Sequence, residues 1–415
     1  MAPNIVVFIT DDQPKGLLDA MPVTRQRLKN QGVDIQYGVS PSPLCAMSRA
    51  SLLTGKYAGR ELGVWDNGGT DGGWEAFAPY ENATLATALK AVGYRTGLFG
   101  KYTNGWNEHS GVVPPGWDTF AAIDPDDGGD GDYYNYTLRG TVGDPHYGDR
   151  PADYCTDVLR SHVMDFLNAS TPDVPQFLYF APYGAHANFI AAPRHIGTWT
   201  EPINFNPSVN HANYGKAPWL ASLPPVDEER VRRVIKDQHE VVMSVDEAIE
   251  EIMDFFDGTD TLFVFAGDNG LQRGSHRLNG KYVPYKASTE LQMMLRRDGY
   301  LTPGPSDRIT TVLDLAATII YHAGATLPMS GIRFGQNRGG QSLEGGPGTD
   351  PDRPPYIGWR TKDYLFIKWG DGYEELYNYS KDPWELLNVV ATEQSKTDQF
   401  RELAQAACKP RPLGW

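Results

Sequence analysis

The sequence predicts an α/β protein: a mostly parallel central sheet flanked by helices, with a smaller C-terminal α+β subdomain. Three observations carry that expectation. Ile5 to Ile9, Phe177 to Phe180 and Thr261 to Phe265 are continuous β-branched and aromatic runs, as expected of strands buried on both faces. Through roughly the first three hundred residues such runs alternate with helical patterns, the arrangement of a parallel sheet with crossover helices. From about Gly331 the text changes to Gly/Pro-rich loops and short strand-like runs such as Tyr364 to Lys368. The expected organisation is a main domain over 1–330 with a subdomain over 331–415 packed on it.

Taken in order, the first strand run ends at Asp11 and Asp12. Ligands of open parallel sheets bind beyond the strand carboxyl ends, and adjacent acids there repel each other unless a cation holds them. Alone, the pair also fits a solvated loop with a helix cap. Cys45 sits just before a helical run and Arg49 lies four residues on, on the same face. A helix N-terminus with an arginine makes an anion site, although a buried structural cysteine fits the same residues. Ala83 to Ala91 reads as a short helix ending at Gly93, and Asp124 to Asp132 as solvated surface, because its spacing fails the calcium-loop pattern.

The clearest helix runs from Val226 to Asp257, where Val231, Val234, Ile235, Val241, Val242, Val245, Ile249, Ile252 and Phe256 recur at helical spacing behind the acidic Asp227-Glu228-Glu229. His239 within it reads as structural or surface, since Met243 stands where a zinc protease needs a second histidine. The strand run at Thr261 to Phe265 leads to Asp268 and Asn269, a tight turn on its own. Joined with Asp11 and Asp12 it makes an all-oxygen set that suits Ca²⁺, or less well Mg²⁺, rather than zinc. Thr310 to Leu327, the most apolar long stretch, carries Asp314 and His322 and reads as a buried helix.

Composition excludes several classes. The chain of 415 residues carries 37 Lys+Arg against 52 Asp+Glu, a formal net charge of -15, which argues against a nucleic-acid binder. Its 40% hydrophobic content is too high for disorder, and 3 scattered Cys are too few for a disulfide framework. No apolar run reaches the length of about 18 residues that spans a membrane. The cysteine usage favours the cytoplasm over a secreted form whose leader has been removed. With 44 Gly and 31 Pro the chain is rich in loops, which carry sites. There is no P-loop, nucleophile elbow or Cys-x-x-Cys.

Together, Thr10-Asp11-Asp12, Cys45-Ala46-Met47-Ser48-Arg49 with Leu53-Thr54-Gly55-Lys56, and Gly267-Asp268-Asn269-Gly270 resemble the sulfatase family of the alkaline phosphatase superfamily. Gly100-Lys101-Tyr102-Thr103-Asn104, Val113 to Asp118, Tyr133 to Leu138, Asp153 to Asp157, Ala181 to His186, Gly274 to Tyr285 and Asp382 to Leu386 continue the resemblance, closest in pattern to N-acetylglucosamine-6-sulfatases and heparan sulfatases. It implies an alkaline-phosphatase-like fold and a sulfuric ester hydrolase acting on a sulfated sugar or an aryl sulfate. It also implies that Cys45 is oxidised by a formylglycine-generating enzyme to Cα-formylglycine, whose hydrate attacks sulfur. Asp11, Asp12, Asp268 and Asn269 would hold Ca²⁺, and Arg49 would orient the hydrate. Lys101 and Lys281 would hold the sulfate, while His186 with Lys281 would protonate the leaving alcohol. Asn104 and His276 are further substrate-binding candidates, with His195 beside them.

This sequence departs from the family pattern in places. Met47 replaces the motif proline, Asn104 stands near a common histidine position, and Lys286 and Glu290 replace a Glu and an Arg, a paired swap that would preserve an ion pair. Two other readings stay open: a phosphonate or phosphate diester hydrolase on the same scaffold, and a non-catalytic binding protein with Cys45 as a thiol. The acidic surface favours small or oligosaccharide esters over intact polyanions, with no nucleic-acid or membrane partner.

Overall fold

The computed structural model describes residues 2–107, 112–125, 133–336, 339–346 and 353–415. Among them ten strands form one sheet: β1 (Asn4–Thr10), β2 (Val33–Val39), β3 (Arg95–Gly100), β4 (Thr119–Pro125), β5 (Tyr136–Gly140), β6 (His146–Tyr147), β7 (Gln176–Ala181), β8 (Thr261–Gly267), β9 (Glu290–Arg296) and β10 (Gly304–Thr311). Their order is β10-β2-β9-β8-β1-β7-β3-β4-β5-β6. The centre is parallel: β1 pairs with β8 and β7, and β7 with β3. β9 runs antiparallel to β8 and β2, and β5 antiparallel to β4. The mostly parallel α/β architecture expected from the strand runs is therefore present.

Alternation along β1 shows why the run is continuously apolar. Ile5, Val7 and Ile9 pack into one core beneath the Cys45–Thr54, Leu85–Ala91 and Val312–Ala323 helices. Val6 and Phe8 face the opposite core, under the Cys155–Asn168 and Glu228–Phe255 helices. Both faces are covered, so neither can be polar.

Four central strands end side by side. Thr10 is level with Gly267, and Gly100 with Ala181, while Phe8 and Phe180 align β1 with β7. Asp11, Lys101, Pro182 and Asp268, the next residue of each strand, therefore emerge along one edge. At β3 this needs glycine. Gly100 has φ +114, and a Cβ there would lie 2.0 Å from the Ala181 carbonyl oxygen.

The long helix spans Glu228–Phe255 and is capped by Asp227, whose carboxylate accepts from the Glu229 and Arg230 amides. Three expectations shift. The helix expected from Thr310 starts at Val312, because Thr310 and Thr311 pair with β2 and Thr311 forms a capping box with Asp314. Asp124 and Pro125 of the expected surface loop belong to β4, where Asp124 accepts from Arg139; residues 126–132 lie outside the described residues. Cys45 does not precede its helix but opens it.

Beyond residue 340 four antiparallel strands, β11 (Gln341–Gly345), β12 (Tyr356–Arg360), β13 (Tyr364–Trp369) and β14 (Glu374–Asn378), form a second sheet with the Gln394–Ala407 helix against it. Buried polar bonds dock it on the rest: Glu344 takes Arg60 at 2.9 Å, and Glu375 accepts from the Ala217 amide and the Tyr285 hydroxyl. Cys45, Cys155 and Cys408 are free and buried. No helix among the described residues is long and apolar enough to cross a membrane.

Candidate active site

The edge beyond β1, β3 and β8 collects charge in a dry place. Asp11, Asp12 and Asp268 are buried, as are Arg49, Lys101 and Lys281. Arg49 binds the cluster together. Its Nε donates to Asp268 Oδ2 at 2.9 Å, its Nη2 lies 3.6 Å from Asp11 Oδ2, and its Nη1 donates to the Lys101 carbonyl at 2.8 Å. Lys101 Nζ pairs with Asp11 Oδ2 at 2.6 Å, and Lys281 Nζ pairs with Asp12 Oδ1. Three carboxylates thus face three cations, which is how ionised groups tolerate burial.

These pairings set protonation. Burial pushes the carboxyls of Asp11 and Asp12 up, but the nearby cations, Lys101 first for Asp11 and Lys281 first for Asp12, hold both below the usual carboxylate range. Asp268 goes the other way, to about 6, because burial and the neighbouring Asp11 outweigh Arg49. Asp11 keeps Lys101 charged against the pull of burial, and Asp12, aided by Asp11 and Asp268, does the same for Lys281.

Cys45 lies at the N-terminus of its helix against this cluster. Its Sγ is 3.4 Å from Asp11 Oδ1, 3.8 Å from Asp12 Oδ1 and 2.7 Å from Lys281 Nζ. Burial, then Asp11, push the thiol well above its ordinary value, so it stays neutral. His186 approaches from beyond β7: Nε2 lies 3.6 Å from Asp12 Oδ2, and Nδ1 is 2.7 Å from the Ala187 carbonyl.

The carboxylates with the Asn269 amide oxygen suit a hard cation, whereas the thiol and imidazole beside them do not. Ligand atoms of Asp11, Asp12, Cys45 and His186 all lie within 4.8 Å of one another. Asn269 Oδ1 is buried without a hydrogen-bond donor, although Asn269 Nδ2 donates to Asp12 Oδ1 at 2.6 Å, while Asp11 Oδ2 faces only the ammonium of Lys101 and the guanidinium of Arg49. Asp268 is more committed, because Oδ1 accepts from the Asp12 and Asn269 amides and Oδ2 from Arg49.

Ten of the twelve site candidates, all but His276 and His195, converge on this edge or beside it. Asn104 is buried next to Lys101, with both side-chain amide atoms unpartnered. His276 stands apart: its Nε2 is 3.6 Å from Glu385, and it lines a separate cavity. His195 pairs with Glu247 at 3.0 Å on the long helix. Lys286 and Glu290 do form the expected ion pair, at 3.5 Å, and Glu290 also takes Lys15 and Arg360.

Two residues escaped sequence reasoning. Gln238 donates from Nε2 to the carbonyls of Asp12, at 3.4 Å, and Ala185, at 3.1 Å, tying the loop that carries Asp12 to the loop that carries His186. Its signal was there, a polar residue on the apolar stripe of the long helix. Asn67 Oδ1 accepts from the Ala46 amide at 3.0 Å, fixing the start of the cysteine helix. It sits in a Gly-rich turn that carries no such mark.

A mostly parallel sheet, flanked by helices and carrying a buried, charge-balanced cluster beyond its central strand ends, defines the α/β class of this protein. The chain belongs to the sulfatase family, whose profile, described as Sulfatase, matches residues 3–325. It is 27% identical over 345 residues to the Extracellular sulfatase SULF-1 homolog of Drosophila melanogaster, covering 79% of this chain and 30% of that protein. It is 26% identical over 453 residues to the N-acetylglucosamine-6-sulfatase of Capra hircus, covering 99% and 79%. Thus it spans less than half of the first relative and most of the second. A solved structure in complex with its substrate D-glucosamine-2-N,6-O-disulfate superposes with TM-score 0.80 at 19% identity, covering 98% of this chain and 97% of the other. The phosphonate monoester hydrolase of Agrobacterium radiobacter superposes at TM-score 0.75 and 16% identity, covering 97% and 95%.

Proposed function

We propose that this chain hydrolyses sulfate monoesters, with a sugar 6-O-sulfate as substrate class, using residue 45 as formylglycine. The observation that carries the reading is the placement of Cys45 Sγ at the helix N-terminus, 3.4 Å from Asp11 and 2.7 Å from Lys281. A thiol held neutral there is a weak nucleophile, whereas an aldehyde hydrate beside the same groups is a strong one. The similarity to N-acetylglucosamine-6-sulfatases supports the sugar ester.

In this reading Asp11, Asp12, Asp268 and Asn269 hold Ca²⁺, with Mg²⁺ less favoured because several ligands come from the protein itself. When bound, the ion supplies positive charge for the nucleophile and a sulfate oxygen. Carboxylates and cations already balance, so a divalent ion leaves the site positive and matched to an anionic ester. Arg49 orients residue 45, and Lys101 and Lys281 hold sulfate oxygens through fixed charge. The proton for the departing alcohol is assigned to His186. Lys281 is held so firmly charged by Asp12 that it assists by hydrogen bonding more than by giving up a proton.

The test is turnover of 4-nitrophenyl sulfate and a 6-sulfated hexosamine by protein made with a formylglycine-generating enzyme. Activity that Cys45→Ala abolishes is expected; unchanged activity in that variant overturns the assignment of residue 45. A second reading, phosphonate or phosphate diester hydrolysis, draws on the scaffold shared with a phosphonate monoester hydrolase. It wins if a phosphonate ester is turned over faster than the sulfate esters.

A further inference from the structure

A cavity of about 990 Å³ lies beside the catalytic edge without including Asp11, Asp12, Cys45, Lys101, His186 or Lys281 in its walls. Its volume is that of a small-ligand pocket. Two walls continue the acidic loops: Pro14–Gly16 begin two residues after Asp12, and Leu271–Arg273 follow Asn269 and Gly270. Further walls come from residues within 199–206 and 383–385, and from Arg25, His276, Lys286 and Glu290.

Most of the charge in these walls is already matched. Lys15 and Lys286 both pair with Glu290, and Arg25 with Asp19. Arg273 is different. No carboxylate pairs with it among the described residues, and its Nη1 reaches only Gln238 Oε1, at 3.5 Å. Burial alone acts on the guanidinium, pulling it down to about 10 with no opposing anion. Other polar atoms of the walls are also unspent. Gln272 Oε1, His276 Nδ1 and Trp199 Nε1 are buried without a hydrogen-bond partner. Leaving such groups unpaired is costly, and a ligand carrying both donors and acceptors would satisfy them. Trp384, 40% exposed, offers an aromatic face at the same cavity.

Gln238 links this cavity to the catalytic edge. One end meets Arg273, and the other bonds the carbonyls of Asp12 and Ala185. Arg273 is thus one side chain removed from the loops that carry Asp12 and His186.

We propose that this cavity binds a second, uncleaved sugar ring of the substrate, whose anionic substituent rests on Arg273 and whose hydroxyls meet Gln272 and His276. The inference rests on the sugar sulfate reading above and extends it to an oligosaccharide with a charged neighbour. A carboxylate and a sulfate share the chemistry Arg273 recognises.

The experiment uses three disaccharide 6-sulfates whose neighbouring ring is neutral, carboxylated or sulfated. Calorimetry measures their affinity for the Cys45→Ala protein, and kinetics their kcat/KM with the active enzyme. The Cys45→Ala protein should bind at least one charged-neighbour disaccharide about tenfold more tightly than the neutral one, and the better of the two identifies the group. Adding Arg273→Ala should collapse that ratio to near one, while Arg273→Lys should keep part of it. Equal affinities for all three disaccharides, or a ratio unchanged by Arg273→Ala, overturns the proposal. If the active enzyme cleaves no sulfate ester, the hydrolase reading falls, yet the affinity ratio still decides the cavity. If it cleaves all three with equal kcat/KM and binds them equally, only the cavity assignment falls.

Discussion

Arg49 Nε donates to Asp268 Oδ2 at 2.9 Å, and neither side chain reaches solvent. With its Nη1 on the Lys101 carbonyl, the guanidinium fastens the cysteine helix to the ends of β8 and β3 at once. A planar fork can make these bonds together, whereas an ammonium cannot. Arg49→Met leaves a buried carboxylate uncompensated, and urea unfolding should show a loss of about 3–5 kcal/mol. Arg49→Lys should recover part of that stability and little of the sulfatase turnover.

Gly100 should tolerate no side chain. With φ +114 and the Ala181 carbonyl oxygen 2.0 Å from the site of a Cβ, Gly100→Ala must strain β3 or push it from β7. Strain and overpacking together predict a loss of about 2–4 kcal/mol in chemical unfolding. Because Lys101 is the next residue, kcat should fall as well. A stable, active Gly100→Ala protein would refute the close approach.

Gln238 contributes no charge, yet it joins the Asp12 and Ala185 carbonyls. Gln238→Leu preserves bulk but strands two buried acceptors, which predicts about 1–3 kcal/mol of destabilisation. Turnover should drop more than KM rises, since the loops of Asp12 and His186 lose their common tether.

His276 makes stability depend on pH. Burial, then Lys216, pull the imidazole down to about 4 against the support of Glu385. Its folded value lies below its unfolded one of about 6.5, so its contribution is complete above that pH and is lost as pH falls toward 4. Unfolding midpoints measured over this window should decline for the native protein, by up to about 3 kcal/mol from this group. The decline should be shallower in His276→Gln.

Calcium should raise the thermal midpoint independently of turnover. An ion bound only by the folded state, at a hundred times its Kd, stabilises by about 2.7 kcal/mol. Ca²⁺ should shift the midpoint more than Mg²⁺, and Asp11→Asn should abolish the shift. No shift with either ion would contradict the assignment of the carboxylates.

The three central strands β1, β7 and β8 are readable because each contains an uninterrupted apolar run, whereas β3, which opens on Arg95 and Thr96, is not, and Lys101 at its end stands out only by motif. Asp11, Lys101 and Asp268 needed only the parallel register to bring them together. The helix from Val312 was misplaced by two residues because Thr310 and Thr311 are apolar enough to continue its pattern, yet they extend β10. The cavity around Arg273 was not readable at all. Its walls come from loops far apart in the chain, such as those within 199–206 and 383–385, with no periodicity to join them. His276 was picked out by motif alone, and only three-dimensional structure separates it from the edge that holds Cys45.

Residue 45, as formylglycine, carries the proposed chemistry. Mass spectrometry of the tryptic peptide Asn30–Arg49, from protein made alongside a formylglycine-generating enzyme, tests it most directly. Despite Met47, the peptide is expected to carry the aldehyde and its hydrate in place of the thiol. A peptide carrying only the thiol, in a preparation that still turns over sulfate esters, would contradict it.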